Sequence, residues 1–216
     1  GFPRYGYLLE AEGQPQGVLL LLTAVVDSAV RSNLSSWYVR QPYRGFATQL
    51  VQLATRTRGA TYLDLTPAPK VLPIVKALGF KPYSNGTLLF TPRLLLSGSA
   101  GARMVGPCNE DDCDGFILED REGRMQALYR IKTLKRLVPA ARFVFGDPKR
   151  LCAAGVAVAR ALLKRGIPLA MVDAPLGFEP PPGIVLMPER EIRYSKHGEP
   201  PAVGDLRESE IALFGP

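Results

Sequence analysis

The sequence predicts an α/β protein of two domains, each built on a twisted, mostly antiparallel mixed sheet. Three observations carry this expectation. Short apolar and β-branched runs, bounded by Gly, Pro and Asn, recur along the 216 residues, the pattern of strands and turns. Pro is nearly twice its usual share at 20 residues, beside 21 Gly, which leaves room for few long helices. The order strand, strand, strand, helix, strand occurs in the first half and again in the second, without a repeat at the level of residues.

In the first half, Tyr5–Glu10 and Gly17–Val26 read as strands joined at Glu12-Gly13-Gln14-Pro15, and Leu34–Val39 as a third. Phe46–Thr57 spaces Phe46, Leu50, Val51, Leu53 and Ala54 as a helix does. Thr61–Leu65 is a strand, and Lys70–Leu78 a short helix stopped by Gly79. Phe80–Tyr83 and Thr87–Phe90 are expected to form a hairpin about Asn85-Gly86. Residues 97–114 change character, with Ser97-Gly-Ser-Ala-Gly reading as a linker. The expected domains are therefore 1–96 and 115–216.

In the second half, Gly115–Asp120 and Met125–Arg130 read as a hairpin, and Ala141–Phe145 as a strand. Leu151–Lys164 is the strongest helical pattern, with Leu151, Ala154, Val158, Ala161 and Leu162 on one face and Gly166 as its stop. Asp147 and Pro148 suit its cap and first position. Pro168–Asp173, Glu191–Ser195 and Ser209–Phe214 are the remaining expected strands.

Apolar residues make up 46% and charged residues 22%, which excludes a disordered chain, a coiled coil and a collagen. The longest apolar runs are far too short to cross a bilayer, so no membrane is expected. Three cysteines cannot all pair and no leader pattern is visible, so a cytoplasmic location is expected. The net charge is +7, of which +6 falls in residues 1–95 and +1 in 96–216. A merely soluble surface accounts for this, and so does an anionic partner of the first half such as a phosphorylated cofactor. The basic strip Arg130-Ile-Lys-Thr-Leu-Lys-Arg-Leu lacks interleaved aromatics, so nucleic acid is not expected.

The richest segment is Ser35-Ser-Trp-Tyr-Val-Arg-Gln-Pro-Tyr-Arg-Gly-Phe-Ala-Thr-Gln-Leu. A strand runs through a turn into a helix, whose unpaired N–H groups and positive dipole end suit a phosphate. Arg44 adds charge, and Gly45 clears space for a ligand. Val39-Arg-Gln-Pro-Tyr-Arg-Gly resembles the end of the fourth strand and the pyrophosphate loop of the GNAT acyltransferase superfamily. Lys76-Ala-Leu-Gly-Phe-Lys-Pro-Tyr resembles that family's Leu-Gly-Phe segment, at the expected distance and with a strand between. The resemblance covers about residues 5–92. It implies two GNAT-like domains, the second degenerate, and acetyl-CoA or another acyl-CoA as substrate. The acyl-CoA would lie along the third strand, with Trp37, Val39, Arg44, Gly45, Phe46, Ala47 and Thr48 as its contacts.

Aligned on Gly79-Phe80, Ala68 and Val75 stand where the family often has an Asn and an acid Tyr. Tyr83 and Tyr38 are the candidate substitutes, since a phenol can protonate a thiolate. Asp64 shares a strand face with Tyr62 and is a candidate base. The resemblance thus implies direct acyl transfer to a small-molecule amine or similar nucleophile in a ternary complex, with a homodimer among the expected states. A non-catalytic acyl-CoA-binding or scaffold protein is the alternative. No metal site is expected. The acidic run from Glu110 places Arg121 where a calcium loop needs Glu, and Cys108 and Cys113 have no second pair. His197 stands alone, and Lys149 with Arg150 offers an anion site at the second domain's helix start.

Overall fold

The computed structural model describes residues 5–26, 28–96, 101–110, 113–134, 137–188, 191–207, 209 and 211. In chain order the first elements are β1 (Gly6–Ala11), β2 (Gln14–Val26), β3 (Ala29–Val39), a 3-10 turn (Gln41–Phe46) and α1 (Ala47–Ala54). Then come β4 (Ala60–Asp64), α2 (Leu72–Ala77), β5 (Lys81–Pro82), β6 (Ser84–Phe90) and a 3-10 turn at Pro92–Leu96. β7 (Arg103–Pro107), β8 (Asp114–Asp120), β9 (Gly123–Leu134), β10 (Val138–Phe145), α3 (Pro148–Ala153) and α4 (Gly155–Lys164) follow. β11 (Leu169–Pro175), β12 (Ile184–Met187) and β13 (Tyr194–Lys196) complete the set.

The chain folds as two compact units: Gly1–Tyr83 with Arg193–Pro200, and Ser84–Ile192 with Pro201–Pro216. The sheet of unit 1 has the order β1-β2-β3-β4-β13-β5, antiparallel except for β3 with β4. The sheet of unit 2 has the order β12-β6-β11-β10-β9-β8-β7, antiparallel except for β10 with β11. The two orders match strand for strand from the parallel pair outward. In each sheet the strand beyond that pair comes from the far half of the sequence, β13 in one and β6 in the other. This is the expected α/β class with mixed, mostly antiparallel sheets.

Four expectations differ. The hairpin about Asn85-Gly86 does not form. Lys81–Pro82 pairs with β13, while Ser84–Phe90 is one strand between β11 and β12. The turn signal loses to burial, because Leu88 and Phe90 enter the core of unit 2. The units therefore divide after Tyr83 and not at 97–114, where Arg103–Pro107 forms an edge strand on β8. The helix over 151–164 is two helices meeting at Ala154, where a Cβ on Gly155 would meet Leu94 at van der Waals distance. Of Glu191–Ser195 only Tyr194 and Ser195 are in a strand, and the expected strand over 209–214 lies mostly outside the described residues.

The core of unit 2 packs α4 (Val158 and Leu162) on the apolar side of its sheet. Phe116, Tyr129 and Phe143 meet there at centroid distances of 5.8 to 6.0 Å, two of the pairs edge to face. Elsewhere in the unit, Arg142 is fully buried and donates to Asp173, with Glu191 at 3.4 Å. Lys132 holds the other Glu191 oxygen at 3.1 Å. A buried charge that loses its partner costs more than the pair contributes. Asp173→Ala is expected to destabilise the protein by about 3–5 kcal/mol, and Arg142→Met with Asp173→Leu by much less. Urea denaturation of the two variants checks the contrast.

Candidate functional site in the fork of unit 1

β3 and β4 run parallel from Val30 opposite Ala60 to Asn33 opposite Leu63, and there their ladder ends. Beyond that point the strands part into a fork. The Asn33 side-chain amide, buried at the last pair, has no protein partner for either atom. β3 also changes register against β2. Leu19 faces Trp37 and Leu21 faces Leu34, so Leu20 alone opposes Ser35 and Ser36. That is a β-bulge, which leaves an extra residue outside the ladder.

A cavity of about 140 Å³ fills the fork, lined from one side by Leu34–Trp37 and from the other by Asp64, Thr66, Pro67, Ala68 and Val71. The indole N–H of Trp37 is buried there without an acceptor from the protein. Asp64 is 8% exposed and lines the fork. Ala68 lines the fork with no acid–base chemistry of its own, and Val75 is buried in the core.

The chain leaves β3 at Val39, which is buried, and turns through Gln41–Phe46. The Arg44 carbonyl accepts the N–H of Ala47, and α1 starts without a side-chain cap. The space around Gly45 is open, Arg44 and Phe46 are exposed, and Ala47 and Thr48 are partly so. The candidate contacts therefore form one continuous stretch, from Trp37 inside the fork to the start of α1. The two candidate acids stand outside the cavity. Tyr38 is 62% exposed, and Tyr83 is buried with its N–H on the Arg193 carbonyl; neither lines the fork.

At the other end of α1, Lys196 donates to Thr55 Oγ1 at 3.0 Å, and the His197 ring meets the Thr55 carbonyl at 3.0 Å. Cationic and imidazole groups at a helix C-terminus satisfy its last carbonyls. His197 is accordingly a capping residue, and burial pulls the Lys196 ammonium below its usual pKa.

In unit 2, β10 and β11 likewise part after Arg142 opposite Met171, and Val144 is the extra residue of a bulge against β9. The loop that follows offers no anion cradle. The Asp147 carboxylate accepts from the N–H groups of Lys149 and Arg150 at 2.7 and 3.1 Å, capping α3 as expected. Arg150 is held by both oxygens of Asp120, at 2.7 and 2.8 Å, so the anticipated anion site is occupied from within. Cys152 is no nucleophile, since burial pushes its thiol up to about 12. The three cysteines are free. Among the described residues there is no cluster suited to a metal and no helix long and apolar enough to cross a membrane.

No protein-family profile matches the chain, and no curated protein matches it in sequence. Solved structures do match in fold. A GCN5-related N-acetyltransferase from Anabaena variabilis matches with a TM-score of 0.58 at 9% identity, over 87% of this chain and 61% of that one. Eis1 from Mycobacterium abscessus gives 0.53 at 10%, over 91% and 67%. The glucosamine N-acetyltransferase region of a fungal multi-domain GH3 β-N-acetylglucosaminidase gives 0.52 at 14%, over 85% and 32%. The chain thus spans about 61% of the Anabaena structure. It has a GNAT-like fold, with two sheets of matching order.

The Arg150 guanidinium holds the Asp120 carboxyl below its usual 3.8. A depressed carboxylate pKa contributes stability above the unfolded value, and that contribution fades as pH falls through the folded value. Asp120→Asn is expected to lower the melting temperature at neutral pH. The gap to the parent chain should close as pH drops below 3.8, a trend that scanning calorimetry across pH checks.

Proposed function

We propose that the fork of unit 1 binds an acyl-CoA substrate, and that the chain is an acyl-CoA-dependent N-acyltransferase acting on a small-molecule amine. The observation that carries this reading is the fork itself: two parallel strands that part beside a bulge, with a cavity between them. The fold shared with N-acetyltransferase structures supports it. The thioester carbonyl would accept a hydrogen bond from the main chain at the Ser35-Ser36 bulge, as oxyanion stabilisation requires. Trp37 Nε1–H offers a second donor. The pantetheine arm would follow β3 past Val39, and its pyrophosphate would meet Arg44, Gly45 and the start of α1. A cavity of about 140 Å³ suits an acetyl or other short acyl group better than a long one.

Chemistry then needs a base for the attacking amine. In this reading Asp64 accepts the amine proton as the C–N bond forms and the C–S bond breaks. The thiolate leaves and is protonated by solvent, so Tyr38 and Tyr83 are not needed as acids. Holding both reactants in one fork supplies the rest through proximity. Three free cysteines fit a cytoplasmic setting. The second reading is a non-catalytic acyl-CoA-binding protein, favoured by Ala68 and Val75 where amide and acid side chains, respectively, are usual.

Calorimetry and thermal shift with acetyl-CoA and longer acyl-CoAs, followed by thiol release with a panel of amines, separate the two. Binding and turnover are expected. No stabilisation at millimolar acyl-CoA sinks both readings, while binding without turnover leaves the second. Asp64→Asn is expected to lower kcat by roughly 10²–10⁴-fold while leaving acyl-CoA affinity within a few-fold of the parent. Ala68→Trp, which fills the fork, should abolish binding.

A further inference from the structure

We propose that the open face of the unit 1 sheet is the interface of a homodimer, its occupant being a second copy of this chain. Strand register sets the apolar residues of this face in a row. Leu8 stands opposite Val18, and Val18 opposite Tyr38, so the three run side by side across β1, β2 and β3. Leu8 is 60% exposed and Tyr38 62%. Leu20, two residues along β2 from Val18 and so on the same side, is 42% exposed. The alternate residues Leu19 and Leu21 are buried on the opposite side of the strand. The sheet is thus covered on one side of these strands and presents a contiguous apolar patch on the other, the kind of patch that marks an interaction site.

Charge on the neighbouring row selects the occupant. Two residues beyond Leu8 stands Glu10, and two beyond Tyr38 stands Arg40, both exposed. Between them, Gln16 of β2 accepts the Arg40 N–H on its carbonyl at 2.8 Å and the Arg40 guanidinium on Oε1 at 3.1 Å. The row therefore carries an acid over β1 and a base over β3, two strand spacings or about 10 Å apart. Such a face is complementary to itself about one axis. A two-fold axis along β2, midway between two stacked sheets, exchanges the β1 side with the β3 side and keeps each position along the strands. Leu8 then lies over Tyr38 of the second copy, Val18 over Val18, and Glu10 over Arg40. An axis running across the strands never exchanges the two sides, so it cannot bring Glu10 over Arg40. The first axis also keeps the strands of the two sheets nearly aligned, as sheets packed face to face are. Each contact occurs twice, as in an isologous dimer.

Sedimentation equilibrium of the full chain, from low to high micromolar concentration, is expected to show a monomer–dimer equilibrium. Glu10→Arg alone, or Arg40→Glu alone, sets like charges against each other and is expected to weaken the dimer by about 10-fold or more. The double variant restores the pairing with its signs exchanged, and its dimer is expected to return to within a few-fold of the parent chain's. Val18→Lys serves if a single reversal lacks a native circular dichroism spectrum, since it sets two ammonium groups against each other on the axis and should leave a monomer. A parent chain that stays monomeric at high micromolar concentration overturns the proposal. So does a dimer that the folded single variants leave unchanged, or one that the double variant fails to restore. A monomer that floats with vesicles of phosphatidylcholine and phosphatidylglycerol overturns it as well, by making this face a membrane contact. The outcome does not depend on acyl-CoA binding in the fork.

Discussion

Two parallel strands whose ladder stops early are the constraint on which the rest of this molecule depends. Main-chain N–H and C=O groups inside a protein must find partners. Where β3 leaves β4 after Asn33, and β10 leaves β11 after Arg142, a row of such groups faces a gap. In unit 1 the gap is a cavity, with the Trp37 indole and the Asn33 amide buried beside it and unsatisfied by protein. In unit 2 the Val144 carbonyl, just beyond the ladder, accepts the Leu206 N–H.

The segregation of charge follows the same division. Unit 1 carries eleven Lys and Arg against five Asp and Glu, a net +6, and unit 2 sixteen against fifteen, a net +1. A concentrated positive field raises the local concentration of an anion and speeds its arrival. In unit 2 the acids instead serve structure. Asp147 caps a helix, Asp120 fixes Arg150, and Asp173 with Glu191 balances Arg142 and Lys132.

Much of this was legible in the residues, and the failures have physical causes. The elements around the site, from Leu34–Val39 to the helix stopped by Gly79, stand where periodicity and turn chemistry place them. So does the Asp147–Pro148 cap, because caps are local. The fork was not legible, since no property of Ser35-Ser36 marks a bulge. A bulge is a relation between two strands and leaves no mark on one. Tyr38 and Tyr83 drew attention for their chemistry, yet alternation along β3 turns Tyr38 outward and Trp37 into the fork. The hairpin at Asn85-Gly86 misled for a similar reason. The turn signal is real in isolation, but Gly86 keeps its positive φ of 105° within a strand whose Leu88 and Phe90 are buried.

That misread strand is where the two units become dependent on each other through the sequence. β6 completes the sheet of unit 2 although it follows directly on unit 1, and β13 completes the sheet of unit 1 although it follows unit 2. Neither sheet has all its strands until both halves of the chain have been made. Each inserted strand sits next to the second strand of the parallel pair, β13 beside β4 and β6 beside β11. That strand carries Asp64 in unit 1 and Asp173 in unit 2. The fork of unit 1 is thus supported by Tyr194–Lys196, some 130 residues further along the chain than the strand it braces. A cleft whose wall depends on so distant a segment cannot assemble from the first 96 residues alone. This is why a boundary drawn at the linker, sensible by composition, separates strands that the fold requires together.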